Sequence, residues 1–249
     1  FFQNEPVLRT RGPSPQVQIA ETYLISVMNY QSIVASKASR MRNVAPDKLL
    51  LEFGTRRGHS PQAGIYAARA SYIGGFDGTS NVVADLELGI EASGTMAHSF
   101  VEKFGEMHSF EIYFDYYKDD TILLIDTYDI AEGARKATKF DNDILGVRVD
   151  SGDLSEGAKK VRKILDDAGC EEVSIVLSSN LDEYKIKELL DKRTPVKAFG
   201  IGTELVTSSD DPKLGAVYKL MSHDGEPRIK ISEGKVTYPS SKQVYRFHD

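Results

Sequence analysis

The chain has 249 residues, a net charge of −6, and 41% hydrophobic and 27% charged residues, which suits a globular core and excludes disorder or a coiled coil. The acidic balance argues against nucleic acid, whose backbone needs clustered Lys and Arg, and leaves a small molecule as the expected partner. The one cysteine, Cys170, cannot make an internal disulfide, and no apolar run reaches the roughly 18 residues of a membrane helix, so no membrane partner and a cytoplasmic location are expected.

Val7 to Arg11 reads as a short strand stopped by Gly12-Pro13. A long helix follows from Ile19 to about Met41, with Ile19, Tyr23, Ile25, Met28, Ile33, Val34 and Ala38 at helical spacing on a buried face. Lys48 to Gly54 reads as a buried parallel strand ending in glycine. Ser60 and Pro61 then cap and open a helix carried by Ala63, Ile65, Ala67, Ala68 and Ala70 to Gly74-Gly75. Further strands are expected at 88–94, 122–126, 145–150, 173–177 and 196–201. Helices are expected at 97–105, 109–118, 129–139, 154–168 and 181–191. This alternation implies right-handed βαβ units around a parallel sheet. After Val217 the segments Lys219-Leu220-Met221, Arg228 to Ile231 and Val244 to Phe247 read as a small antiparallel sheet that would pair with Val7 to Arg11.

Several strands end in charged or small polar residues, on the face where a parallel barrel gathers its chemistry. Arg148-Val149-Asp150-Ser151-Gly152-Asp153 offers an arginine that can clamp a phosphate. Ser151 or Asp153 can cap the next helix, and Gly152 admits a ligand close to the backbone. The plainer reading makes Asp153 only a cap and Arg148 only an ion-pair partner. Phe199-Gly200-Ile201-Gly202-Thr203 could present backbone N–H groups and the hydroxyls of Thr203 and Thr207 to a phosphate, or could be a tight turn. Glu52-Phe53-Gly54-Thr55-Arg56-Arg57-Gly58-His59 places an aromatic ring beside two guanidinium groups, which suits a planar anionic aromatic ligand. His98, in Gly94-Thr95-Met96-Ala97-His98, lies past a strand end on the same rim and could act as a base or as a phosphate-accepting nucleophile. His59 is a weaker candidate, and His108, His223 and His248 have no evident partner. Asp126, Asp150 and Asp153 could hold Mg²⁺ on a pyrophosphate or could be helix caps. No residues have zinc spacing, and neither a Walker A motif nor G-x-G-x-x-G is present.

Six stretches together resemble the nicotinate phosphoribosyltransferase family. They are Phe53 to Arg57, Gly74-Gly75-Phe76-Asp77-Gly78-Thr79-Ser80-Asn81, Gly94 to His98, Asp126-Thr127-Tyr128-Asp129, Arg148 to Asp153, and Phe199 to Thr203. The resemblance implies an irregular TIM-like parallel α/β barrel over residues 13–219, with 1–12 and 220–249 as parts of a small antiparallel β-rich α+β domain. It implies transfer of a phosphoribosyl group from 5-phosphoribosyl-1-pyrophosphate to nicotinate, with ATP as co-substrate, Mg²⁺ as cofactor, and a homo-oligomer, at least a dimer, sharing its active site. Carried over by motif, Phe53 would stack on the pyridine ring, with Arg56 and Arg57 near it. Arg148, Asp150, Ser151 and Asp153 would hold the phosphoribosyl part with Asp126, and Gly200, Gly202 and Thr203 would surround the 5′-phosphate. His98 corresponds to the histidine that ATP phosphorylates. The related nicotinamide enzymes carry an aspartate where this chain has Ser80, which favours the acid substrate. The family has a further segment before the point where this chain starts, so the chain is expected to be one part of the enzyme.

Three other readings compete. A quinolinate phosphoribosyltransferase shares the fold but needs no phosphorylatable histidine. An aldolase or isomerase barrel should offer Lys or Glu at a strand end, for which Glu52 is the candidate. A degenerate, non-catalytic phosphate-binding barrel would not need intact Arg148, Asp150 and His98.

Overall fold

The strands follow one another around a ring in chain order, as a parallel barrel requires. The computed structural model describes residues 5–232, 238–245 and Phe247. Strands β1 (Leu49–Glu52), β2 (Gly78–Thr79), β3 (Ile122–Leu124), β4 (Gly146–Val149), β5 (Ser174–Ser178) and β6 (Ala198–Ile201) form one parallel sheet ordered β2-β1-β6-β5-β4-β3. The first strand pairs with the last, Leu50 beside Phe199 and Glu52 beside Ile201. Thr79 adds an isolated parallel bridge to Ala92. The circle therefore runs from Ala92 through β2, β1, β6, β5 and β4 to β3, and among the described residues its seam lies between Ala92 and β3.

Helices α1 (Ser14–Val44), α2 (Pro61–Ile73), α3 (Val82–Leu88), α4 (His98–Phe104), α5 (Glu106–Tyr117), α6 (Ile130–Ala137), α7 (Leu154–Asp167), α8 (Glu183–Asp191) and α9 (Thr203–Thr207) connect the strands or flank them. Leu50, Leu123, Val149, Leu177 and Phe199 pack with Val34, Met41, Ala67, Ala134, Val161 and Ile186 in the large core between sheet and helices. Each of the larger side chains among them contributes about 1.5–3 kcal/mol of burial. A second cluster, Ile122, Val176 and Ala198, lies apart from it. Arg148 is in register with Val176, and Val176 with Ala198, so Arg148 points to the side of this smaller cluster. Gly133 lets α6 rest directly on the chain after β3, because a Cβ there would stand 2.0 Å from the Ile125 oxygen.

The structure corrects the sequence reading at several elements. Val7 to Arg11 forms no strand; side-chain bonds from Arg9 to Ser241 and from Thr10 to Tyr218 hold it instead. Within α1 the buried face is confined to Ile33, Val34, Lys37, Ala38 and Met41, while Ile19 is 81% and Tyr23 66% exposed. Residues 82–88, to which the sequence reading assigned no helix, form α3. Asn81 accepts the Ala84 N–H at its start, and Gly89, with φ of 67°, turns the chain at its end. Of the strand expected at 88–94 only the bridge at Ala92 remains.

The chain divides into two units, residues 30–213, which hold the barrel, and residues 1–29 with 214–249. In the second unit, β7 (Ser222–His223) and β8 (Glu226–Pro227) pair antiparallel. Asp224 and Gly225 between them both have positive φ, 50° and 82°, as a two-residue Asp-Gly hairpin turn demands. Arg228 N–H to Met221 C=O at 3.0 Å extends the pairing by one step. The strands expected at 219–221 and 228–231 shrink to this hairpin, and Val244 and Tyr245 form no strand. Phe1 to Asn4, Arg246 and His248 lie outside the described residues. Among the described residues no helix is long and apolar enough to cross a membrane.

Candidate active site

Asp150, one residue beyond β4, stands at the centre of the polar rim. Its Oδ1 accepts the Ser178 hydroxyl at 2.5 Å, and its Oδ2 lies 3.5 Å from His98 Nε2. The other ring nitrogen of His98, Nδ1, is 3.0 Å from Thr127 Oγ1. His98 follows the Ala92 bridge and Thr127 follows β3, so this contact spans the seam of the barrel. The imidazole is therefore oriented at Nδ1, with the Asp150 carboxylate near Nε2.

Asp126 ties the same loops together from beneath. Its Oδ2 accepts the Asp150 N–H at 2.8 Å and the Ser151 hydroxyl at 2.6 Å. Its Oδ1 is buried without a partner, and so is Arg148 Nε. Buried polar atoms rarely stay unpaired, so these two leave the cluster with free capacity to bind a further polar group. Burial pushes the Arg148 guanidinium below its usual range. Asp150 and Asp126 counter that, and the like charge of Arg56 lowers it again. The lowering is thus chiefly the cost of burying the guanidinium, which further negative charge or hydrogen-bond acceptors at its free Nε would offset.

The aromatic side of the rim is built on glycines. The Phe53 ring lies against Gly200, where a Cβ would come within 2.5 Å of it. Gly200 is itself buried in the β6 ladder, so its place in the site is to make room for the ring. Phe53 N–H donates to Ile201 C=O at 2.7 Å. Arg56 and Arg57 sit on a short 3₁₀ turn after the ring, both exposed, and Ser80 directly follows β2 and is also exposed. Gly202 is the residue before α9 and Thr203 its first, while the Thr207 hydroxyl bonds back to Thr203 C=O at 2.8 Å rather than facing the rim.

Asp153 caps α7, its Oδ1 accepting the Ser155 and Glu156 N–H groups, both at 3.0 Å. Gly152, with φ of 73°, makes the left-handed turn that brings the chain from Ser151 to this cap. His108 and His223 pair locally with Glu111 and Asp224. Glu52 is fully buried between two loops and is not presented to the rim. Thr127 and Ser178 were not singled out from the sequence. Thr127 lies in the matched stretch Asp126 to Asp129 and Ser178 closes β5, but neither carried an assigned role.

A parallel barrel whose rim brings together a histidine, two aspartates and a buried arginine has the arrangement of an α/β-barrel enzyme. The chain belongs to the nicotinate phosphoribosyltransferase (NAPRTase) family, which residues 49–243 match. It is 44% identical over 253 residues to a nicotinate phosphoribosyltransferase of Mycobacterium tuberculosis, covering 99% of this chain and 54% of the relative. With the nicotinate phosphoribosyltransferase of Bacillus subtilis it shares 43% identity over 259 residues, 98% of this chain and 53% of that protein. The crystal structure of human nicotinic acid phosphoribosyltransferase superposes with a TM-score of 0.75 at 31% identity, over 88% of this chain and 54% of that one. The chain spans about half the length of the curated relatives it matches.

Proposed function

We propose that the complete protein joins nicotinate to 5-phosphoribosyl-1-pyrophosphate, forming nicotinate mononucleotide and pyrophosphate in NAD biosynthesis. The observation that carries this reading is the cluster of Arg148 and Asp126, each with a buried unpaired atom, beside Asp150 and His98 in a chain of this family. In the reaction the pyridine nitrogen forms a bond to C1′ as the C1′–O bond to pyrophosphate breaks, so positive charge grows on the ribose and negative charge on the leaving group. Arg148 and Arg56 would stabilise the leaving group, and Asp150 and Ser151 would orient the ribose. Phe53 would carry the ring, and Gly202 and Thr203 would approach the 5′-phosphate. Among the described residues no group of three or more His, Cys, Asp or Glu forms a metal cage. The free Asp126 Oδ1 fits Mg²⁺ held by one or two carboxylates plus ligand oxygens, where the ion would neutralise pyrophosphate. The protein is placed in the cytoplasm, with its phosphorylated substrates, as a homo-oligomer of at least two subunits.

The coupling to ATP runs through His98. A ring nitrogen of His98 would attack the γ-phosphorus while its bond to the bridging oxygen of ADP breaks, and water would later release the phosphate. Thr127 and Asp150 hold the imidazole for this step. Incubating the complete protein with γ-labelled ATP is expected to give an acid-labile, base-stable label that His98→Ala abolishes. A complete protein that makes nicotinate mononucleotide but takes up no such label would remove His98 from this role and favour a barrel without ATP coupling.

Position 80 tests the choice of substrate. Ser80→Asp is expected to raise KM for nicotinate about 10- to 100-fold by setting a carboxylate against a carboxylate. Unchanged nicotinate kinetics would refute the assignment of the acid as substrate.

A further inference from the structure

We propose that Glu52 and Thr79 form a buried strap that sets the spacing of Phe53 and Ser80, making Glu52 a positioning residue for the planar ring; this rests on the reading of the rim given above. Glu52 ends β1, and its side chain is fully buried. Its Oε1 accepts the N–H of Gly54, the residue after Phe53. Its Oε2 accepts the hydroxyl of Thr79, the residue before Ser80, at 2.6 Å. The Ser80 N–H donates to the Glu52 main-chain oxygen at 2.8 Å. Each of the two residues proposed to meet the ring is thus one position away from an atom bonded to the same carboxylate.

The hydrogen-bond directions require an acid here. Thr79 Oγ1 already accepts the Asn81 N–H at 3.0 Å, so the hydroxyl proton is committed to Glu52. An amide at position 52 would have to turn its NH₂ group toward either Gly54 N–H or Thr79 Oγ1. The first choice sets donor against donor, and the second gives the hydroxyl two donors and leaves its own proton unplaced. The loop has little room to adapt. A Cβ on Gly54 would lie 2.3 Å from Val206 Cγ1 and 2.9 Å from Gly202 O, and the Phe53 ring already rests on Gly200. Burial raises the pKa of Glu52, against the pull of the Thr79 hydroxyl and the Gly54 amide. An acid kept in such a place without reaching the rim has its work in holding other residues.

The test compares Thr79→Val, Thr79→Ser and Glu52→Gln in the complete protein. Thr79→Val and Glu52→Gln are expected to raise KM for nicotinate about tenfold while KM for phosphoribosyl pyrophosphate stays within about twofold, and Thr79→Ser to behave as the parent. Hydrogen exchange should also quicken at residues 53–57 in Thr79→Val, although Thr79 lies on the neighbouring strand. Equal rises in both KM values with faster exchange throughout would mark general loosening and overturn the proposal. Parental KM values, or unchanged exchange at 53–57, would overturn it as well. If the parent protein makes no nicotinate mononucleotide, the functional reading fails by itself, and the exchange comparison still decides whether the strap couples the two loops.

Discussion

Arg148→Lys is expected to lower kcat/KM for phosphoribosyl transfer by about 10²-fold, with most of the loss against phosphoribosyl pyrophosphate rather than nicotinate. A guanidinium offers a planar fork to phosphate or ribose oxygens, whereas an ammonium offers a compact point charge. The Arg148 Nε that now lacks a partner has no counterpart in lysine. The replacement would also place an ammonium in a desolvated position beside Arg56, and both effects favour its neutral form. Steady-state kinetics with each substrate varied in turn would measure the change, and the melting temperature would show whether the barrel persists. A kcat/KM within about twofold of the parent would take Arg148 out of the site.

The rim was legible in the sequence because parallel strands place their ends together, so any residue just past an apolar run is a candidate whatever its distance along the chain. That reasoning found Arg148, Asp150, Asp126 and His98, which the structure joins. It could not find Thr127 or Ser178, because a serine or threonine near a strand end gains meaning only from the atom it faces. Glu52, the candidate of the competing aldolase or isomerase reading, shows the reverse case. An acid at a strand end reads as chemistry, but the register of β1 against β2 turns it into the gap between two loops. Asp153 illustrates how local and site readings overlap, since two N–H groups at the start of α7 take its Oδ1 as a cap, the plainer of the two roles the sequence allowed.

Local pattern also leaves parts of the fold undecided. The run Val82-Val83-Ala84-Asp85-Leu86-Glu87-Leu88 has β-branched residues and weak helical spacing, and its helical state is decided by Asn81 and Gly89 at its ends. The apolar residues at the start of α1 match a helix but not burial, since Ile19 and Tyr23 stand exposed while Ile33 to Met41 meet the core. Periodicity specifies a helix and not what covers it.

The second large effect concerns the clamp behind the rim, where Lys37→Met is expected to destabilise the barrel unit by about 3 kcal/mol. Lys37 on α1 is 2% exposed, and its Nζ lies 2.8 Å from Glu183 Oε2 on α8 and 3.0 Å from Asp210 Oδ1 beyond α9. Arg40 engages the second oxygens, Glu183 Oε1 at 2.8 Å and Asp210 Oδ2 at 2.7 Å. Burial alone would lower the pKa of Lys37, but its bonds to Glu183 and Asp210 outweigh this and leave it raised. Burial would raise the two carboxylates, yet Lys37 and Arg40 leave both lowered. The raised lysine stabilises the fold below its ordinary value of 10.5 and loses this as pH climbs through the folded value. The lowered carboxylates stabilise it above their ordinary values of 4.5 and 3.8, and that is lost as pH falls through the folded ones. The difference between parent and Lys37→Met should therefore be largest between these limits and shrink in acid. Adding Glu183→Gln to Lys37→Met should recover about 1 kcal/mol, because the buried charge left without its lysine is then removed. Urea unfolding at neutral and acid pH measures both quantities. A difference under about 1 kcal/mol, or one that does not change with pH, would mean that Lys37 is held by packing and not by its charges.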